Sequence, residues 1–234
     1  TLSLHDALPI LQLDSWRARL AVVNLADQWP SAIITKLTGA AIRIGFDFPK
    51  RRHPAWRFCH TALASTERHN QLHTVQQNLS ILAPLGLDIA DAPATMGYSE
   101  QDWRASRALL PAGFQDNYIV IQPTSRWFFK CWREGRMSAL INALSEAGYP
   151  VVLTSGPDAR EKQMIDTIMA GCPNARLHSL AGLLTLRQLA SVIDHARLFI
   201  GVDSVPMHMA AALGTPLVAL FGHSKLTFWR PWQA

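Results

Sequence analysis

Apolar residues fall in short blocks along this chain, separated by polar or glycine-containing stretches, and the spacing of the blocks predicts its elements. The second half is the more regular. Residues 118–122, 150–154, 198–202 and 217–221 are short, predominantly apolar runs and predict buried strands, with 176–180 a weaker one. Between them, 137–147, 158–170, 186–196 and 206–213 carry apolar residues at helical spacing. Gly148 and Gly214 stand where helices stop, and Thr185 where one starts. Strands alternating with helices mean βαβ units and a buried parallel sheet. The expected architecture is a Rossmann-like, doubly wound half, whose ligand lies at the carboxyl ends of its strands.

The first half is less regular. A strand is predicted over 20–25, a helix over 30–38 opened by Pro30, and a second strand over 41–45. A basic loop, Lys50 to His53, precedes Pro54. Leu72, Val75, Leu79 and Leu82 recur at three- and four-residue spacing, which predicts one long amphipathic helix over 66–85, stopped by Gly86. Residues 88–116 change character and read as a linker with a short helix at 103–110, placing a domain boundary near residue 100. Residues 1–10 match neither half. They lack the charged and long apolar regions of a signal peptide, and are similar to a translated sequencing adapter. The expected organisation is a non-native segment over 1–10, a first domain over 11–100 that is incomplete, and a second domain over 101–234.

Composition narrows the class. With 49% hydrophobic and 17% charged residues the chain is globular rather than disordered or fibrous. Its longest apolar runs are about a third of the ~18–20 residues that span a bilayer, so no transmembrane helix is expected. Three cysteines, widely spaced and without a CxxC pair, argue against a zinc site or disulfide framework and for a reducing, cytoplasmic setting. The net charge of +5, most of it after residue 100, suits an anionic ligand or an anionic membrane surface. No basic-aromatic RNA motif or zinc finger is present, so nucleic acid is not an expected partner.

Chemistry concentrates in two places. Residues 201–222 read GVDSVPMHMAAALGTPLVALFG. Asp203 ends a predicted strand, Ser204 is placed to cap the next helix, Pro206 fits its first turn and His208 lies one turn in. The free amides and positive dipole end of such a helix form an anion site. The plainer alternative is a capped helix with an incidental histidine. Residues 123–132, PTSRWFFKCW, follow the first strand of the second half. Thr124 and Ser125 offer hydroxyls, and Lys130 a point charge for a phosphate; the alternative is a surface loop, against which Trp127 and Phe128 argue. Asp158 follows the next strand, where a carboxylate either accepts from a ribose or caps a helix. In the first half, Asp27 and Gln28 follow a strand and could face a cleft between domains; Lys50 and Arg51 of the basic loop could hold phosphate or a lipid headgroup, the alternative being a solvated loop. There is no GxGxxG, P-loop, HExxH or GxSxG, so the dehydrogenase, P-loop, zincin and hydrolase readings lose their signatures.

The stretch DSVPMHMAAALGTPLVALFG resembles the signature of the bacterial lipopolysaccharide heptosyltransferases, the family-nine glycosyltransferases: aspartate, serine or threonine, then a spaced histidine, an alanine pair and a proline. NLADQW, HTVQQNLSILAPLG, VIQPTSRWFFKCW and the closing FWRPW are similar to the core heptosyltransferase III branch, so the resemblance covers about residues 20–234. It implies a GT-B fold of two Rossmann-like domains, an acceptor domain first and an ADP-heptose domain second. Thr124 and Ser125 would contact the donor phosphates and Lys130 would stabilise the leaving ADP, as the catalytic residue. Asp158 would take the ribose, where the family often has glutamate, and Leu184 would line the adenine or ribose pocket. Asp203, Ser204 and Val205 would hold heptose and pyrophosphate, with His208 assisting; the family often has glycine at the Val205 position. Asp27, Gln28, Lys50 and Arg51 would face the acceptor.

The implied reaction is inverting transfer of heptose to the lipopolysaccharide inner core, without metal or cofactor, in the cytoplasm and with peripheral contact at the inner face of the inner membrane. The family's catalytic aspartate lies upstream of Thr1 and its closing helices beyond Ala234, so this sequence is expected to be a fragment that binds nucleotide without turning over. Another GT-B nucleotide-sugar enzyme, such as an epimerase, and a non-catalytic nucleotide-binding module are the rival readings.

Overall fold

A computed structural model describes residues 20–87, 91–114 and 117–232. The segment 1–10, expected to be non-native, lies outside the described residues. The chain divides into two compact units that meet at Ala92 and Pro93. The expected boundary near residue 100 falls later than this one. The difference arises because the first helix after the division, α4 (Glu100–Arg107), packs on the second unit, where Ser106 Oγ lies 2.7 Å from Ser191 Oγ. A capping box starts this helix at Ser99, four residues before the predicted start.

The first unit holds β1 (Ala21–Val23), α1 (Trp29–Leu37), β2 (Ile42–Asp47), α2 (Pro54–Cys59), β3 (Ala62–Ser65) and α3 (Thr74–Leu79). Its described strands form a parallel sheet in the order β1-β2-β3. Ile44, Phe46, Ala64 and Ile81 pack together beside it. The long helix predicted over 66–85 is not formed. In its place stand a 3-10 turn at His69–Gln71, α3, and a 3-10 segment at Ser80–Leu85 that contains Pro84. His73 explains the break: its Nδ1 accepts from the Val75 amide at 3.1 Å while its own amide donates to Gln76 Oε1 at 3.2 Å. That is a helix start in the middle of the apolar period. Gly86 does end the segment, in the left-handed conformation at φ 73°.

A buried polar chain holds this unit together. The Trp56 indole donates to the Phe46 carbonyl at 3.0 Å. His60 Nδ1 lies 2.8 Å from the Trp56 carbonyl, and Nε2 lies 3.3 Å from the Asn24 amide nitrogen. An Nδ1–H tautomer satisfies both contacts, donating to the carbonyl and accepting from Asn24. Burial pushes the His60 imidazole below its ordinary value near 6.5, and burial does the same to His69. Below about pH 6.5 the unfolded chain takes up protons that the folded chain refuses, so stability present above that value is lost as pH falls. We expect the melting temperature of the first unit to drop between about pH 7.5 and 5.5, and His60→Gln to flatten part of that slope in a thermal melt series.

The second unit holds β4 (Ile119–Gln122), α5 (Glu134–Glu146), β5 (Val151–Leu153), α6 (Ala159–Ala170), β6 (Leu177–Ser179), α7 (Leu186–Asp194), β7 (Leu198–Val202), α8 (Val205–Leu213), β8 (Leu217–Leu220) and α9 (Leu226–Trp229). The five strands among its described residues run parallel in the order β6-β5-β4-β7-β8. The side chains alternate across the sheet. Val120 packs with Val152, Phe199, Ile193 and Met207 on one face, while Ile119 and Ile121 pack with Met137, Ile141, Ile165 and Ile168 on the other. Both faces are therefore covered by helices, as an all-parallel sheet requires. Between β4 and β7 the winding direction reverses. That reversal opens a crevice at the carboxyl edge, where ligands of such sheets bind.

Candidate functional site

The crevice at the reversal gathers most of the residues expected there. The loop after β4 carries Thr124, Ser125 and Lys130, and the loop after β7 carries Asp203 and Ser204. Lys130 Nζ donates to Asp203 Oδ2 at 2.7 Å, with the carboxylate side chain 5% and the lysine 21% exposed. Ser125 Oγ donates to the Asp203 carbonyl at 3.4 Å and accepts from the Trp127 amide at the same distance. The two loops are thus tied to each other at both the side chain and the backbone of Asp203. The Lys130 side chain reaches the crevice because a 3-10 turn, Phe128–Lys130, folds the loop back.

Ser204 does not do what its position suggests. It occupies the N-cap of α8, yet its side chain caps nothing and Oγ donates back to the Val202 carbonyl at 3.2 Å. In the first turn of α8 Pro206 has no N–H and the Met207 amide donates to the Ser204 carbonyl at 3.2 Å, which leaves the Val205 amide as the donor without an acceptor inside the helix. Val205 is exposed in that first turn, Pro206 follows it, and His208 is half-buried on the same turn.

Thr124 is fully buried, and its hydroxyl is committed within the protein. It accepts from Gln122 Nε2 at 2.8 Å and donates to Glu161 Oε2 at 2.6 Å. Gln122 Oε1 in turn accepts from the Thr154 hydroxyl at 2.7 Å, and the Gly156 amide donates to Glu161 Oε2 at 3.1 Å. This relay fixes the ends of β4 and β5 around one carboxylate. Glu161 was not singled out in the sequence. The available signal is an acidic residue in the first turn of the helix that Asp158 caps. Asp158 itself is exposed, and its Oδ1 accepts from the Arg160 amide at 2.9 Å, which is the capping alternative. Leu184 is half-buried against the core beneath α7.

In the first unit, Asp27, Lys50 and Arg51 come together. Lys50 pairs with the Asp27 carboxylate, and that hydrogen bond holds the Asp27 carboxyl below the usual carboxylate range. Arg51 Nε donates to the Asp27 carbonyl at 2.7 Å, and its guanidinium lies 5.7 Å and 5.9 Å from the rings of Trp29 and Trp56. The basic loop is therefore partly anchored rather than wholly solvated. Gln28 is exposed beside it, at the N-cap of α1, without a side-chain capping bond. A cavity of about 590 Å³ lies at the carboxyl end of β3, lined by Ser65, Arg68, His69, Gln76 and Ser80 among others. Among the described residues no cluster of His, Cys, Asp and Glu could hold a metal ion, and no helix is long and apolar enough to cross a membrane.

Comparison with known proteins follows the same lines. The family model for glycosyltransferase family 9 (heptosyltransferase) matches residues 18–234. The lipopolysaccharide heptosyltransferase 3 of Escherichia coli is 46% identical over 213 residues, covering 91% of this chain and 62% of that protein. The chain thus spans less than two thirds of that relative's length. Among solved structures, the glycosyl transferase family 9 protein from Veillonella parvula superposes with a TM-score of 0.82 at 20% identity, covering 99% of this chain and 66% of that one. The E. coli heptosyltransferase WaaC with ADP gives 0.68 at 20% identity, covering 99% and 70%. The fold is accordingly α/β with parallel sheets, of the GT-B type expected from the sequence. By its family match over residues 18–234, the chain belongs to glycosyltransferase family 9, the heptosyltransferases.

Proposed function

We propose that the protein containing this chain transfers heptose from ADP-heptose to the lipopolysaccharide inner core, as an inverting heptosyltransferase of type III. The observation that carries this is the Lys130–Asp203 pair in the crevice between β4 and β7, beside the open first turn of α8. A nucleoside diphosphate takes a cation and backbone N–H donors at such a point; Lys130 supplies the first, and the Val205 amide, without an acceptor inside the helix, supplies a donor. In transfer, an acceptor hydroxyl oxygen attacks the anomeric carbon from the face opposite ADP and gives its proton to a base. The bond from that carbon to the diphosphate oxygen breaks, and the charge left on ADP is met by Lys130 and the Val205 amide at the start of α8. Ser125, Asp203, Ser204 and Val205 hold diphosphate and heptose, and His208 assists. Thr124 acts by holding Glu161, and Asp158, Glu161 and Leu184 lie on the ribose and adenine side.

The acceptor side comprises Asp27, Gln28, Lys50 and Arg51, in a domain that ends at the linker before α4. The protein works in the cytoplasm, with basic residues such as Lys50 meeting anionic groups at the inner face of the inner membrane. The solved WaaC structure carries ADP, which supports adenine as the base. Titration calorimetry tests this. Saturable ADP binding at least about tenfold tighter than UDP is the expected result. A preference for UDP moves the chain to another nucleotide-sugar enzyme, and no binding of either by a folded chain removes the donor-site reading.

A further inference from the structure

Three consecutive aromatic and apolar positions precede Lys130, and the fold treats them differently. Phe128 packs against the core with the Arg160 guanidinium 4.4 Å from its ring centre. Trp127 and Phe129, on either side of it, are 59% and 63% exposed. A loop that buries one ring and leaves two in water forgoes the stabilisation that burying them would bring. The rings are also ordered into a row. Trp127 and Phe129 lie 6.2 Å apart, and Phe129 and His223 lie 6.5 Å apart edge-on. His223 belongs to the loop after β8, so the row starts in the loop after β4 and reaches the β8 side of the crevice.

We propose that Phe129, flanked by Trp127 and His223, is the wall against which the donor's glycosyl ring packs, and so helps set which sugar the site accepts. This rests on the reading of the crevice as a nucleoside diphosphate-sugar site. The direction follows from strand order, β6-β5-β4-β7-β8. Residues on the nucleoside side, Leu184, Asp158 and Glu161, follow β6 and β5. The groups that face the diphosphate, Lys130 and the start of α8, sit between β4 and β7. The group bonded to the far phosphate is the sugar, and continuing along the edge brings it to the β8 side. A pyranose ring presents a face of C–H bonds that an aromatic face covers, leaving the hydroxyls to polar groups. A nucleobase would also stack on these rings, but it would have to lie at the opposite end of the crevice from the ribose-side carboxylates.

Calorimetry with two probes, ADP and ADP-linked heptose, separates the cases. Phe129→Ala is expected to weaken ADP-heptose about five- to tenfold while ADP stays within about twofold, and Phe129→Tyr to keep both affinities. His223→Ala should show the same selectivity with a smaller loss. Equal weakening of both probes would mean that the rings hold the nucleotide, and no change in either would mean that they hold nothing; both results overturn the proposal. Phe129 is exposed, so its removal does not threaten the fold, and circular dichroism checks this. If the unsubstituted chain binds neither probe, the donor-site reading itself fails and takes this inference with it.

Discussion

Lys130→Ala is expected to destabilise the second unit by about 3 kcal/mol and to weaken ADP binding by roughly one to two orders of magnitude. The two losses have different origins. Asp203 is buried and its carboxylate holds Lys130 at 2.7 Å. Removing the cation leaves a desolvated charge without its counterpart, and breaking a buried pair from one side costs about 3–5 kcal/mol. The partial exposure of Lys130 puts the figure at the lower end of that range. Loss of affinity comes from the missing charge-assisted contact to the diphosphate, about 1.5–3 kcal/mol. The double substitution Lys130→Met/Asp203→Asn separates the two. It removes both charges and is expected to recover most of the stability while leaving ADP binding weak, read by denaturant titration and calorimetry on the same preparations. Recovery of both would show that Lys130 acts only through the fold.

The sequence announced this pair only as two separate residues. Lys130 and Asp203 each followed a readable strand, and the parallel-sheet rule put both at one edge. What it could not give was the strand order, which makes β4 and β7 neighbours. β4, β5, β7 and β8 were legible because each is a short apolar run closed by a turn residue, whereas β6, reading LHS, gave the weaker signal; β7 was predicted at 198–202 and is formed there. The first unit was less legible for definite reasons. β3 reads ALAS, with small side chains and no β-branched residue, so no strand signal stands out. The helical spacing of Leu72 to Leu82 is shared among three short pieces, because local capping by His73 outweighs periodicity. α2 was missed although Pro54 occupies its first turn after His53, a start signal that was read as loop punctuation. Ser204 shows the converse error. A good capping residue stood at a capping position, yet its hydroxyl turned back to Val202, and it is the Ser204 carbonyl that accepts from the Met207 amide. A residue's capping propensity does not decide where its hydroxyl bonds, because the Val202 carbonyl two residues back competes for it.

Phe199→Ala should cost about 3–5 kcal/mol, since the ring is fully buried in the central part of β7 among Val120, Met207 and Ala210. The same ring explains the glycine two residues on. A Cβ on Gly201 would stand 2.6 Å from two Phe199 ring carbons and 3.4 Å from the Gln122 carbonyl oxygen. Closely packed surroundings leave the ring nowhere to go, so Gly201→Ala is expected to cost about 1–3 kcal/mol through overpacking. In a Phe199→Ala background that penalty should nearly vanish, because the atoms it clashes with are gone. A double-mutant cycle by urea denaturation measures this, and strict additivity would mean that the glycine is required for another reason. The consequence reaches the site as well. Gly201 pairs with Gln122 across β4 and β7, and these two strands carry the Gln122–Thr124–Glu161 relay and Asp203 to the crevice. Gly201→Ala should therefore weaken ADP binding by more than its stability cost accounts for, since taking the 2.6 Å contact out to 3.4 Å demands a shift of about 0.8 Å, part of which a chain that is still folded would pass on to Asp203 and Lys130.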